Sequence, residues 1–410
     1  MPTIKYFFSS FIFLLSGTLH AQVPSDGHSI TCGMQDTVDT YQAAPFSFLN
    51  GTSTLGTEFI LKFSDNVPPV AEASMTFAAN VWGSILQSEV PVVVEVDWQD
   101  RMDNRLLASA GPATLFRGFA GSEPETWYPV ALAEAIAGQE LNDPDDADIN
   151  VIANSTANWY FGTDGETPRN RIDLVSVFMH ELGHGLGFLA SADTVSETEL
   201  GLGFGGRLII YDRFLETEAT LPLANPSIFT NPSPALLEAA TMNDLVFNGP
   251  EAVRENGARV PIFAPIAFDI GSSVSHLDER AFRAGSENAL MTPFLSAGEA
   301  VHNPGPVTLG IFADMGWPLN FDVVSARHAT SPLLNFFPNP TFNDVTIVLP
   351  PGGNASKVQL FDLRGRQVLS RSIAPNQVTL KLEVATLAPG TYLIRYLGKE
   401  AMRTGRLVVN

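Results

Sequence analysis

Two histidines one helical turn apart, with a glutamate beside the first, constrain this chain more than any other feature. Val177 to Phe188 reads Val-Phe-Met-His-Glu-Leu-Gly-His-Gly-Leu-Gly-Phe. On a helix, residues four apart share one face, so His180 and His184 can reach a single cation. Glu181 sits beside them, near enough to bond a water at that cation without being a ligand. The stretch before it provides a helix start: Asp173 is a predicted N-cap, and apolar residues follow at helical spacing. Gly183, Gly185 and Gly187 crowd the far end. Each interior glycine costs about 1 kcal/mol relative to alanine, so this helix is not optimised for its own stability.

A chain of 410 residues is expected to hold two or three domains. The formal charge of −21, from 44 acidic and 23 basic residues, argues against nucleic acid and anionic membranes as partners. A single cysteine, Cys32, excludes an intrachain disulfide. Residues 1–21 read as a secretory signal peptide: Lys5, then the apolar run Phe7 to Leu15, then Leu19-His20-Ala21 before Gln22. That run is shorter than the roughly 20 residues of a bilayer span, and no other stretch is expected to cross a membrane. Residues 22–56 are polar with little periodicity, and are expected to form a mobile leader or pro-segment.

Globular texture begins at Thr57. A strand is predicted over Thr57 to Phe63, and a core helix over Val70 to Leu86 with Met75, Phe77, Ala78, Val81, Trp82 and Ile85 at helical spacing. Pro91 to Trp98 alternates as a strand, and Trp127 to Ala137 holds a short helix. Ile149 to Ala153 is predicted as an edge strand able to pair with an extended peptide. Asn142 to Asp148 carries carboxylates that could hold calcium, but lacks EF-hand spacing; a solvated acidic turn is the expected outcome. After Ala190, a strand is predicted over Arg207 to Leu215 and a helix over Pro234 to Ala240, with Arg259 to Pro265 another apolar segment. Asp212 is expected in a surface ion pair with Arg213.

A catalytic zinc takes three protein ligands and keeps one open position. Of the seven histidines, His20 falls in the signal peptide, His28 in the leader and His328 in a linker. His276 and His302 remain, besides carboxylates. His180-Glu181-x-x-His184-x-x-Gly187 resembles the start of the metzincin zinc-peptidase motif. Most metzincins place a third histidine three residues after that glycine, where this chain has Ala190. The leishmanolysin-like metzincins interrupt the motif at the same place, and this sequence is similar: Gly187-Phe188, an insertion over about 190–270, Ser275-His276-Leu277, Asn288-Ala289-Leu290-Met291-Thr292-Pro293, and Thr308 to Trp317.

The resemblance implies an α+β metzincin-like catalytic domain over residues 57–320 with an inserted subdomain. It implies one zinc ion on His180, His184 and His276, Glu181 as general base, and Met291 as a structural residue beneath the metal. The implied activity is that of a zinc metalloendopeptidase acting on protein or peptide substrates. Cys32-Gly33-Met34-Gln35-Asp36 resembles the cysteine switch of matrix metalloproteinases, although Ile30-Thr31 stands where that family has Pro-Arg. It implies that the Cys32 thiolate fills the open position and holds the enzyme latent. The alternative is a non-catalytic surface binding or adhesion protein on the same fold; the intact Glu181 argues against it.

Residues 321–332 read as a polar linker. Residues 333–410 read as a small all-β sandwich, with strands predicted at Val345 to Leu349, Ser356 to Leu363, Val378 to Leu382 and Tyr392 to Tyr396. Phe337-Pro338-Asn339-Pro340, Phe361-Asp362-Leu363-Arg364-Gly365-Arg366, Leu387-Ala388-Pro389-Gly390-Thr391-Tyr392 and the Leu407-Val408-Val409 end resemble the type A sorting domain of type IX secretion cargo. That resemblance implies engagement with the type IX machinery, export across the outer membrane of a Bacteroidota-type bacterium, and a secreted or outer-surface location.

Overall fold

The valine-rich run after Pro91 forms a strand paired on both sides within the larger of two compact units, which divide between Val324 and Ser325. The computed structural model describes residues 21–24, 30–51, 55–101, 106–320, 334, 336–349, 357–362, 367–374, 377–397 and 402–409. The expected signal peptide, up to residue 20, and the linker at 321–332 lie outside the described residues.

Six strands make the central sheet of the first unit: β1 (Ile30–Gln42), β2 (Phe59–Phe63), β3 (Val92–Gln99), β4 (Leu106–Pro112), β5 (Ile149–Asn154) and β6 (Phe294–Val301). Their order is β6-β1-β4-β5-β3-β2. Every neighbouring pair is parallel except the two made by β4, which runs against both β1 and β5. β3 buries Val92, Val93, Val94, Val96 and Trp98, as a strand covered on both faces must.

Four helices complete the frame: α1 (Pro69–Ile85), α2 (Val130–Ala137), α3 (Leu174–Gly185) and α4 (Pro306–Met315). Pro69 opens α1, where its missing N–H is not needed. Trp82 of α1 is fully buried, its indole N–H donates to the Met179 carbonyl of α3 at 2.9 Å, and its ring lies 5.2 Å from that of Phe312 in α4. One tryptophan therefore ties three helices into the core that carries the histidine helix.

Several sequence expectations are corrected here. The polar stretch expected to be a mobile leader contains β1, a 13-residue strand inside the sheet. Ile149–Asn154 is an interior strand between β4 and β3, and the edges are β6 and β2. Hydrophobic alternation identifies a strand but not its place in the order. The strand predicted over residues 207–215 is mostly turn: Tyr211–Phe214 is a 3-10 helix, and only Leu215–Thr217 is extended. The cause is Asp212. It is fully buried, accepts from the Ile209 and Ser191 backbone N–H groups and from the Ser191 hydroxyl, and folds the chain back on itself. It is no surface ion pair; Arg213 instead donates to Thr126 Oγ1 at 3.1 Å. In the acidic stretch, Asp143, Asp145 and Asp146 are exposed, while Asp148 is buried and bonded to Val93 N and Asn142 Nδ2.

The second unit is built from two sheets. One carries strands Phe336–Phe337, Asp344–Val348 and Thr379–Glu383; the other carries Gln367–Ser372, Lys357–Asp362, Gly390–Leu397 and Met402–Val409. Val345, Ile347, Leu380 and Leu382 of the first join Val358, Leu360, Ile394 and Leu407 of the second in one core. The alternation seen in the sequence thus resolves into a sandwich.

Candidate metal centre

Helix α3 begins where the sequence predicts. Asp173 is the N-cap and accepts from Ser176 N at 2.8 Å and Ser176 Oγ at 2.6 Å. The other carboxylate oxygen accepts from Thr167 Oγ1, and His302 Nε2 lies 2.8 Å from the capping oxygen. His302, the rival third ligand, is therefore a buried partner of the helix cap and takes no part in the histidine cluster.

The glycines on α3 are explained by what lies against them. A Cβ at Gly183 would sit 2.6 Å from Met291 Sδ, and one at Gly185 would collide with the Ile149 side chain of β5. Both positions are close approaches that no larger residue permits. Met291, predicted to lie beneath the metal, packs against the helix at Gly183 and is completely buried.

His180 and His184 project from α3 toward His276, which arrives 92 residues later on a loop. The three Nε2 atoms are separated by 2.9 Å (His180 to His184) and 3.2 Å (each to His276). Each Nδ1 faces a backbone carbonyl: Leu290 at 2.6 Å, Phe188 at 2.7 Å and Ser272 at 2.8 Å. A carbonyl only accepts, so each ring carries its proton on Nδ1 and presents a bare lone pair at Nε2. Three lone pairs pointing at one spot repel unless a cation lies between them. Tetrahedral zinc at about 2.0–2.1 Å from each nitrogen separates its ligands by roughly 3.4 Å, close to the spacing found. The carbonyl partners also fix the ring orientations, as partners of metal-bound imidazoles do. The donor set fits zinc.

Burial sets the charge states. It pushes His180 down to about 4, and pushes His184 and His276 well below the usual imidazole range, the neighbouring histidines adding to the effect. Burial also raises the Glu181 carboxyl well above the ordinary carboxylate range, against a smaller opposing pull from Arg101. Neither Glu181 oxygen has a hydrogen-bond partner among the described residues. A buried carboxyl without partners is costly to a fold, and its place next to the three histidines gives it a chemical reason to be there.

Cys32 of β1 is buried here too. Its Sγ and donor atoms of His180 and Glu181 all lie within 4.8 Å of one another. Burial, then the charges of Glu181, Glu299 and Glu279, hold its thiol well above the usual range. The acidic stretch at residues 142–148 gathers no comparable set of donor atoms among the described residues. Sequence reasoning missed the roles of Thr167 and of Ser275, whose Oγ accepts from Ala190 N and fastens the loop that carries His276.

Comparisons with known proteins cover parts of the chain. Residues 335–410 match the family described as secretion system C-terminal sorting domain. Residues 52–201 match a family described as SPBPB7E8-like, a span that contains α3 but neither His276 nor Cys32. An uncharacterized protein of Schizosaccharomyces pombe is 28% identical over 117 residues, covering 25% of this chain and 20% of the relative. The chain thus spans about a fifth of the length of the curated relative it matches. The C-terminal sandwich is a type IX secretion sorting domain, and the protein is directed through that machinery to the cell surface or beyond. No helix among the described residues is long and apolar enough to cross a membrane.

Proposed function

We propose that this protein is a secreted zinc-dependent endopeptidase with a metzincin-like catalytic domain. The observation that carries the reading is the convergence of three unprotonated Nε2 atoms beside a carboxyl with no partner. A zinc ion held by His180, His184 and His276 would supply Lewis acidity to a water and to a scissile carbonyl. Glu181 takes the proton from the attacking water and delivers it to the leaving amine. Ser272, Leu290 and Phe188 keep the imidazoles in the ligating tautomer through their carbonyls. Met291 supports α3 from below, and Asp173 fixes its start. Delivery to the cell exterior by the sorting domain supports a reading in which the substrates are extracellular proteins and peptides.

Metal analysis of the purified full chain and its His276→Ala variant tests the site. The expected result is one zinc per chain, lost or greatly weakened in the variant; full retention in the variant would remove His276 from the ligand set. For the activity, protein recovered from the culture medium after secretion is expected to hydrolyse casein, and Glu181→Ala is expected to keep its zinc while losing hydrolysis. Unchanged cleavage by that variant would sink the mechanism.

A further inference from the structure

The three imidazoles are oriented by carbonyls from three places in the chain: Leu290, Phe188 and Ser272. One tripeptide, Ser275-His276-Leu277, is bonded to all three places. His276 belongs to the cluster itself, and its Nδ1 faces the Ser272 carbonyl. The Leu277 N–H donates to the Met291 carbonyl at 2.8 Å, next to the Leu290 carbonyl that faces His180. The Ser275 hydroxyl oxygen accepts from the Ala190 N–H at 3.0 Å, just beyond the Phe188 carbonyl that faces His184. We infer that Ser275 is a positioning residue: it locks the turn that orients His184 to the loop that brings His276, so that metal affinity depends on a side chain outside the ligand set. The inference rests on the zinc reading of the centre and adds to it the residue that couples two of its ligands.

The path of the chain after the histidine helix carries the argument. The Phe188 N–H donates to the Gly183 carbonyl at 3.0 Å, back into α3. The Leu189 N–H goes to the Gly187 carbonyl at 2.8 Å, inside a turn where Gly187 takes a φ of +123° that suits only glycine. The two N–H groups that follow leave the local chain. Ala190 donates to Ser275, and Ser191 to Asp212 Oδ1 at 2.9 Å. The Phe188 carbonyl therefore lies between one attachment to the helix and the first attachment to the loop of His276. Ala190 and Ser275 are both buried. Losing the hydroxyl leaves a buried N–H without a partner, which favours other conformations of the turn.

The loop that carries Ser275 is the fixed side of this contact. The Val274 N–H donates to the Phe263 carbonyl and the Phe263 N–H to the His276 carbonyl, each at 2.8 Å, so backbone bonds bracket Ser275. Val274 has a φ of +70°, a region that a β-branched residue occupies only where its surroundings impose it. An imidazole whose ring is already held by a partner loses less freedom on binding metal and binds it more tightly. His180 owes its partner to the Leu277 N–H, a backbone bond that no substitution at Ser275 removes. His184 owes its partner to a turn that Ser275 closes. Loss of the hydroxyl should thus free His184 and leave His180 in place.

Ser275→Ala in the full chain removes the acceptor while Asp212 still holds Ser191. In the metal-free protein, NMR of the histidine-labelled chain reads exchange of the imidazole Nδ1–H protons. The His184 proton is expected to exchange about tenfold faster in the variant, the size expected for one lost buried hydrogen bond, and the His180 proton at its original rate. Equal acceleration of both would mean general loosening and overturns the inference, as does no change at His184. Zinc affinity, measured with zinc chloride against a chromophoric chelator, is expected to fall about tenfold. The visible bands of the cobalt(II)-loaded chain are expected to shift. Ser84→Ala removes another buried hydroxyl, which donates to the Val81 carbonyl within α1. It is expected to change neither readout. Unchanged zinc affinity and an unchanged cobalt spectrum in Ser275→Ala overturn the inference. If the unaltered chain takes up neither metal, the zinc reading fails, and the metal-free exchange rates decide by themselves whether Ser275 holds His184. Should Ser275→Ala not fold, the unaltered chain decides: the Ala190 amide and the His184 Nδ1–H are expected to show the same protection, as one opening unit. An unprotected Ala190 amide beside a protected His184 ring overturns the inference.

Discussion

β3 and β1 lie in one sheet and are held by opposite means. β3 buries four valines and a tryptophan between the two faces, with only Glu95 and Gln99 exposed. β1 buries Ile30 and Cys32, and its other described side chains are polar or reach solvent. Apolar burial at about 25 cal/mol per Å² stabilises β3 throughout its length. β1 depends mainly on backbone hydrogen bonds, whose net contribution is modest because water offers the same bonds to a freed strand. The difference teaches that membership of a sheet does not imply permanence. β3 is held by its side chains, and β1 by its two neighbouring strands.

Substitutions sharpen that contrast. The largest expected loss is in the scaffold: Trp82→Ala should cost about 3–5 kcal/mol, measured by chemical denaturation, since it empties the space between α1, α3 and α4. A smaller cost is expected where α3 meets the sheet. Gly185→Ala drives a methyl into Ile149 and should destabilise by about 1–3 kcal/mol, and Ile149→Ala, which removes every atom the methyl meets, should make the two losses less than additive in the double variant. Smallest is Asp39→Ala on β1. Its ion pair with Arg169 joins side chains that are both about two-thirds exposed or more, so the intact chain should lose no more than about 0.5 kcal/mol. A loss from Asp39→Ala as large as that from Gly185→Ala would break the comparison and make β1 a structural strand like β3.

The histidine helix was legible because its information is local. His180 and His184 meet one turn apart on any helix, and Asp173 caps it three residues before Ser176. The glycines were read as a cost to the helix, and only Met291 and Ile149 show what that cost serves. His276 came from resemblance, since nothing within 92 residues of intervening chain predicts where a loop will return. β1 did leave a trace in the sequence: Ile30, Cys32 and Met34 alternate. The signal is short, and Asp36, Thr37 and Asp39 follow it, so the segment read as a leader. Its strand form depends on two partners, β4 and β6, the second some 250 residues away in the chain.

The sequence by itself determined the two-histidine helix with its glutamate, the valine strand, the alternating strands of the tail and the sorting motifs. These all follow from spacing of 2.0 or 3.6 residues and from residue chemistry, which neighbours in the chain express on their own. Tertiary structure alone decided that Ile149–Asn154 is interior, that His302 serves the helix cap, that Asp212 is buried, and that β1 brings Cys32 beside His180 and Glu181. Each of those depends on which distant backbone edge or side chain arrives alongside. Such contacts carry no periodic mark in the chain, because their geometry is set only when the whole core packs.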